Sequence, residues 1–257
     1  MRIHLSVMNE STVIDDDQVQ TIADALQQQV NRDFHPVWGM DCQLKFVPKG
    51  QTPEAGSWWL VFLDDSDQAG ALGYHDLTPD QHPLGRVFAK TDQKYGLEAS
   101  ITASHELLEM LGDPYVNLTA LDPKTLRMYA YETADAVEAD ELGYEINGVA
   151  VSDWVTPHFF DREAANRSGI KFDFQGHLSE PFSLAKGGYL SYIDLRNVKA
   201  GWQQEQAERT PGSRRPEFPS GSRRELRVRA STLLGPHHEE KEPGLRRSQP
   251  RDRVASA

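Results

Sequence analysis

Apolar residues follow two different spacings in the first half of the chain, and each spacing predicts one type of element. Between residues 19 and 30 they recur every three or four positions. The acidic run 15–17 comes just before and favours a helix start, because carboxylates stabilise the positive end of a helix dipole. A second helix is predicted at about 96–112. Short apolar or alternating runs predict strands at 3–8, 42–47, 58–63 and 85–90.

The second half of the chain has a weaker periodicity. Residues 128–134 and 144–151 are candidate strands, and Asn147-Gly148 is typical of the turn of a β-hairpin. Residues 153–161, which include Pro157, have no regular pattern. These patterns together predict an α+β fold in which a mixed sheet packs on two helices and an irregular second half follows.

The composition changes after Trp202 and predicts a domain boundary there. Residues 203–257 are rich in Pro, Gly, Ser and Arg and contain few apolar residues. Such a segment cannot bury enough apolar surface to offset the entropy lost on folding. We therefore expect a folded domain at 1–202 and a disordered tail at 203–257.

The charge is divided unevenly between these two segments. The chain has 27 basic and 39 acidic residues and a formal net charge of −12. Twelve of the basic and eight of the acidic residues lie in 203–257, which leaves a net charge of −16 on residues 1–202. An acidic domain repels phosphate backbones and attracts cations, so nucleic acid is not an expected partner of this domain.

Cys42 is the only cysteine, which limits the kinds of site that the chain can form. No internal disulfide and no thiolate-rich zinc site can be built, so a metal would need imidazole and carboxylate ligands. No apolar run approaches the ~18 residues of a membrane span, and the N-terminus lacks the pattern of a secretory signal. We expect no membrane insertion and a cytoplasmic location.

The predicted helix at 96–112 carries the candidate chemistry. His105 and Glu109 are four residues apart, so they lie on one helix face and can bind a single metal ion. Glu106 lies beside them, where it can take a proton from a water molecule on that ion. This is the arrangement of a metal-dependent hydrolase in which Glu106 is the general base.

The ten residues from His105 to Pro114 read HELLEMLGDP and are similar to the H-E-x-x-E-x-x-x-D-P signature of zincin-like proteins. These proteins occur in bacteria and tailed phages, with relatives in fungi and plants. A Glu-x-x-Asp element follows in that family and is matched here by Glu132 and Asp135, and residues 143–148 and 151–161 also resemble the phage-type members. The resemblance covers about 1–202.

The resemblance implies a zincin-like fold, a Zn²⁺ cofactor and a metal helix beneath a mixed sheet. An edge strand at about 84–89 would border the cleft, and a peptide substrate could pair with it. It also implies a virion-associated location if the chain derives from a phage.

A catalytic zinc site needs a third protein ligand. Glu132 and Asp135 are the candidates; we favour Glu132 as the ligand and Asp135 as its supporting partner. We interpret Asp113 as a helix-stop residue and His158 as a buried structural histidine, while Tyr131 and Tyr144 are candidate oxyanion donors. His75 and His82 flank Pro79, and we expect both to be exposed in a loop.

Three hypotheses remain open, because well-studied zinc peptidases have a histidine where this chain has Glu109. A carboxylate there partly neutralises the metal and also suits divalent metals other than zinc. The chain is then a metal-dependent hydrolase of peptide or amide bonds, a zincin-like metal-binding protein without catalysis, or a metal-free interaction domain with a basic tail.

Overall fold

The computed structural model describes residues 2–68 and 71–207 and confirms the predicted α+β class. Of the tail predicted at 203–257, residues 208–257 lie outside the described residues, and so does their predicted disorder. The strands are β1 Ile3–Asn9, β2 Cys42–Val47, β3 Trp58–Leu63, β4 Gly73–Leu77, β5 Pro83–Phe88, β6 Thr119–Asp122, β7 Arg127–Ala130, β8 Tyr144–Ile146, β9 Val149–Val151, β10 Tyr189–Asp194 and β11 Gln203–Gln206. The helices are α1 Asp16–Gln29, α2 His35–Trp38, α3 Ala89–Tyr95 and α4 Ala99–Gly112, with a π-helical turn at Val30–Phe34.

The main sheet has five strands in the order β2-β1-β3-β5-β4. Its first four strands run parallel, and β4 runs antiparallel to β5 at the edge. The expectation that residues 84–89 form the edge was wrong, because β5 is paired on both sides. A strand at Gly73–Leu77, which the sequence did not predict, occupies the edge instead.

Two long helices pack on the main sheet and bury one core with it. The first, α1, begins as predicted: the Asp15 carboxylate accepts from the Gln18 amide at 2.8 Å, while Asp15 N–H donates to the Gln18 side chain. This helix packs against β1 and β2, whereas α4 packs against β3, β4 and β5. Side chains of both helices, including Leu26 and Leu107, share the core with Trp154.

The start of α4 differs from the prediction. Gly96 has a φ of 70° and ends the separate short helix α3 at Tyr95, so residues 96–98 connect two helices and are not the first turn of the predicted one. The helix α4 begins after Glu98. The strand predicted at 85–90 ends at Phe88 because its last two positions belong to α3.

The second half of the chain is more regular than predicted. A four-stranded antiparallel sheet forms in the order β11-β10-β7-β6, and β8 and β9 form the predicted hairpin with positive φ at Asn147 and Gly148. The last strand of this sheet, β11, begins one residue beyond the predicted boundary at Trp202. Among the described residues, no helix combines the length and the apolar character that crossing a bilayer requires.

Candidate metal centre

The helix α4 presents His105, Glu106 and Glu109 from its buried middle turns. A hydrogen-bond network holds this part of the helix against α1 and β9. Ser104 Oγ donates to Gln29 Oε1 at 2.8 Å and accepts from the Ser152 amide at 3.0 Å, while Gln29 Nε2 donates to the Ser152 carbonyl at 3.1 Å. The helix residue just before His105 is therefore fixed to two other elements, which limits rotation of the helix about its axis.

The edge strand β4 brings His75 to the same place. Its side chain is fully buried, so the expectation that His75 is exposed in a loop was wrong. Strand and helix approach closely because position 73 is glycine. A Cβ there would lie 2.7 Å from Thr102 Cγ2 and 2.8 Å from Glu106 Oε1. His82, in the turn that follows β4, is half-buried and lies outside the group.

Residues 131–137, which follow β7, contribute two further acidic side chains to this site. Glu132 precedes a short 3₁₀ turn that begins at Asp135, and both carboxylates are buried. The turn packs closely against Gly188, the residue before β10, where an added Cβ would overlap the Ala136 carbonyl oxygen. The structure brings both Glu-x-x-Asp acids to the centre, but they contact different histidines.

Six side chains form the centre, and their separations define two overlapping groups. His105 Nε2 lies 3.4 Å from Glu109 Oε1 and 3.3 Å from Asp135 Oδ1. His75 Nδ1 lies 3.3 Å from Glu109 Oε2 and 3.7 Å from Glu106 Oε2, and His75 Nε2 lies 3.8 Å from Glu132 Oε2. The donor atoms within each of two triads lie within 4.8 Å of one another: His105, Glu109, Asp135 and His75, Glu109, Glu132. Here these six side chains are called the metal centre.

Several acidic side chains lie close together in the metal centre, and they shift the pKa values of neighbouring groups. Burial acts to lower the pKa of His105, but the carboxylates of Glu109, Asp135 and Glu106 outweigh it and hold that pKa well above its usual range. Burial and the Glu109 charge raise the pKa of Asp135. Burial, with the charges of Asp135, Glu138 and Glu109, also raises the pKa of Tyr189 on β10. A bound cation would relieve this crowding of charge.

The donor atoms fit a divalent metal ion. Both ring nitrogens of His75 and Glu106 Oε2 are buried and make no hydrogen bond to a described residue. Leaving buried polar atoms without a partner costs roughly 1–3 kcal/mol each. Imidazole nitrogens and carboxylate oxygens are ligands for Zn²⁺, Mn²⁺ and Co²⁺, so a metal ion would satisfy these atoms.

Several other candidate residues have structural partners. Asp113 ends α4, and its carboxylate accepts from the amides of Asn117 and Leu118 at 3.1 and 2.9 Å, as a helix-stop residue does. Tyr144 donates to Asp33 at 2.9 Å, and Tyr131 stacks on Phe160.

Some site residues were missed or misplaced at the level of sequence. His158 is half-buried rather than buried. His75 was missed, although Pro79-Asp80 between two short apolar segments is a turn signal that could have indicated the β4–β5 hairpin. Tyr189 was missed as well, and no local pattern identifies it.

Comparisons with known proteins give no further information on this site. The chain matches no family model, no curated protein and no solved structure.

Proposed function

We propose that the chain is a divalent-metal-dependent hydrolase of peptide or amide bonds. The observation that carries this proposal is the grouping of His105, Glu109 and Asp135, with Glu106 on the next helix position. The residue after the first ligand of such a helix is the usual position of a general base. The resemblance of residues 105–114 to the zincin-like signature supports the same interpretation.

Glu106 would move protons in this reaction. A divalent ion, when bound, would supply Lewis acidity to the scissile carbonyl and to the attacking water. Glu106 Oε2 faces the centre and has no hydrogen bond to a described residue. It can therefore accept the proton of the attacking water and deliver it to the leaving amine.

The main sheet offers a place for an extended substrate. Its edge strand β4 carries His75, and Arg86 of the neighbouring β5 reaches the Tyr74 hydroxyl, which keeps the two strands together. A peptide that paired with the edge of β4 on which no described strand pairs would run beside the metal centre. We therefore propose a peptide in extended conformation as the substrate class.

The test is a Glu106→Gln variant assayed with zinc, manganese and cobalt against a broad peptide library. We expect turnover to fall by roughly 10²–10⁴-fold, because a proton acceptor is lost while the ligands remain. Metal content should be unchanged. Glu98→Gln is the matched control, since it makes the same change at an exposed position just before α4. Full activity in Glu106→Gln would contradict the assignment.

One observation favours a second candidate function, a metal-binding protein without catalysis. The most exposed of the six residues, His105, has 7% of its surface accessible, and His75 and Asp135 have none. Structural metal sites are closed in this way, whereas catalytic sites keep an open position. This alternative predicts that metal raises the melting temperature while no peptide in the library is cut.

A further inference from the structure

We propose that the metal centre holds two divalent ions bridged by Glu109. One ion would be bound by His75, Glu109 and Glu132, and the other by His105, Glu109 and Asp135. This inference rests on the proposed metal-dependent function and adds to it a second ion and the residue that holds it, His75.

The two oxygens of Glu109 face different histidines. Oε2 lies 3.3 Å from His75 Nδ1, whereas Oε1 lies 3.4 Å from His105 Nε2. A carboxylate that offers one oxygen to each side can join two ions at the spacing of roughly 3.5–4 Å that is typical of two-metal hydrolytic sites. Glu109 is therefore placed as a bridge rather than as a ligand of one ion.

The separations between Glu109 and the two histidines are those of ligands around an ion. Two ligands that are each about 2.1 Å from a tetrahedral ion lie roughly 3.4 Å apart. The shortest nitrogen–oxygen separations at Glu109 are 3.3 and 3.4 Å. Charge-assisted hydrogen bonds are shorter, at roughly 2.7–2.9 Å. Each Glu109 oxygen thus lies from its histidine nitrogen at the separation expected of two ligands of one ion.

The formal charges favour two ions over one. Four buried carboxylates (Glu106, Glu109, Glu132, Asp135) face two imidazoles, which must be neutral to bind metal. Taken as ionised metal ligands, these four carboxylates carry a formal charge of −4, of which one divalent ion offsets half and two divalent ions offset all.

His75 supplies an independent observation. Its ring is fully buried, lies against Glu109 and has no hydrogen bond from either nitrogen to a described residue. If the centre held one ion at His105, His75 would only orient Glu109, and a substitution there would leave the metal content unchanged. The two interpretations therefore differ in the number of ions bound.

The experiment counts metal ions in the full chain. Metal-free protein is titrated with Mn²⁺, and bound metal is measured by elemental analysis and electron paramagnetic resonance. We expect two ions per chain and a spectrum of two coupled Mn²⁺ ions. His75→Ala should bind one ion and give the six-line spectrum of isolated Mn²⁺. His82→Ala, which removes the half-buried histidine of the adjacent turn, is the matched control and should bind two.

A single ion in the parent chain, with the same content in His75→Ala, would overturn the bridged centre and leave the proposed function standing. No bound metal in the parent would defeat both. The metal content of His75→Gln is measured as well, and circular dichroism checks that this variant is folded, in case the alanine variant does not fold. A folded His75→Gln protein that binds two ions would also overturn the proposal, because Gln is a poor substitute for imidazole at a metal.

Discussion

Two regions of the molecule place buried acidic side chains close to a histidine, and they do so in different ways. In the metal centre, carboxylates converge on two imidazoles. In the second region, here called the Asp173 turn (Asp153, Asp173 and His177), backbone amides donate hydrogen bonds to the carboxylates. Asp173 accepts from the amides of residues 176, 177 and 178 at 2.6, 2.7 and 2.7 Å, and Asp153 accepts from Trp154 and Gln175 at 2.8 and 3.1 Å.

The difference shows that burial of carboxylates does not by itself identify a metal site. The Asp173 turn also brings a histidine and two acids within 4.8 Å of one another. Its acids accept hydrogen bonds from backbone N–H groups, and the His177 side chain is 38% exposed. The metal centre instead directs buried imidazole nitrogens at its acids, where a cation would offset the charge. The predictions below test this contrast.

The largest effect is expected from Glu109→Gln. At a metal concentration about a thousandfold above Kd, binding contributes about 4 kcal/mol to the parent chain. That stabilisation corresponds to a rise in melting temperature of roughly 10 °C for a chain of this size. A chelator should lower the melting temperature of the parent by this amount and leave the variant unchanged. His177→Ala should respond to the chelator like the parent. If His177→Ala lost the response, the Asp173 turn would be the metal site.

A smaller effect, independent of metal, is expected from Asp173→Ala. The substitution leaves three backbone amides without their acceptor and should lower the free energy of unfolding by about 3 kcal/mol. Urea unfolding with and without chelator measures the loss in the free energy of unfolding and shows whether that loss depends on metal. Asp161→Ala is the control, because among the described residues Asp161 accepts from a single amide, that of Glu163 at 2.9 Å, and otherwise forms an exposed ion pair with Arg167; a loss of about 1 kcal/mol is expected there. Equal losses in the two variants would contradict the role of the Asp173 turn.

The smallest effect is a pH dependence at Asp153. Burial, then the hydrogen bond and charge of Asp173, raise the pKa of Asp153 from 3.8 to about 8. The folded chain therefore holds a proton that the unfolded chain releases above pH 4, so stability falls as pH rises from about 4 to 8. In Asp153→Asn this fall should be smaller by about 1 kcal/mol per pH unit between pH 5 and 7.

Urea unfolding of both proteins at several pH values in the presence of chelator measures the difference. Parallel pH profiles for Asp153→Asn and the parent would show that Asp153 does not hold this proton.

Local sequence patterns correctly predicted the elements that residues close together in the chain determine. The strands at Cys42–Val47 and Trp58–Leu63 begin and end where their apolar runs do. The start of α1 follows from the capping side chain of Asp15. The hairpin turn at Asn147-Gly148 follows from residues that tolerate positive φ. In each case, residues within a few positions of one another decide the structure.

Distant contacts decided what these patterns could not. The short strand Gly73–Leu77 has too few residues for a clear period, and its place at the sheet edge depends on pairing with β5. The strand β10 was not predicted, because it is stabilised by pairing with β7, about sixty residues earlier in the chain. The edge strand was misassigned because strand order depends on such pairings rather than on local sequence.

The residues of the candidate site can be divided in the same way, into those that local sequence places together and those that distant contacts bring in. The sequence by itself determined that His105, Glu106 and Glu109 lie together, because the helix repeat fixes neighbours three and four residues apart. Only the tertiary structure decided that His75 joins them, that Asp135 contacts His105, and that Glu132 contacts His75. These contacts depend on how closely β4 and residues 131–137 pack against α4, and no local periodicity encodes the packing of segments that are far apart in the chain.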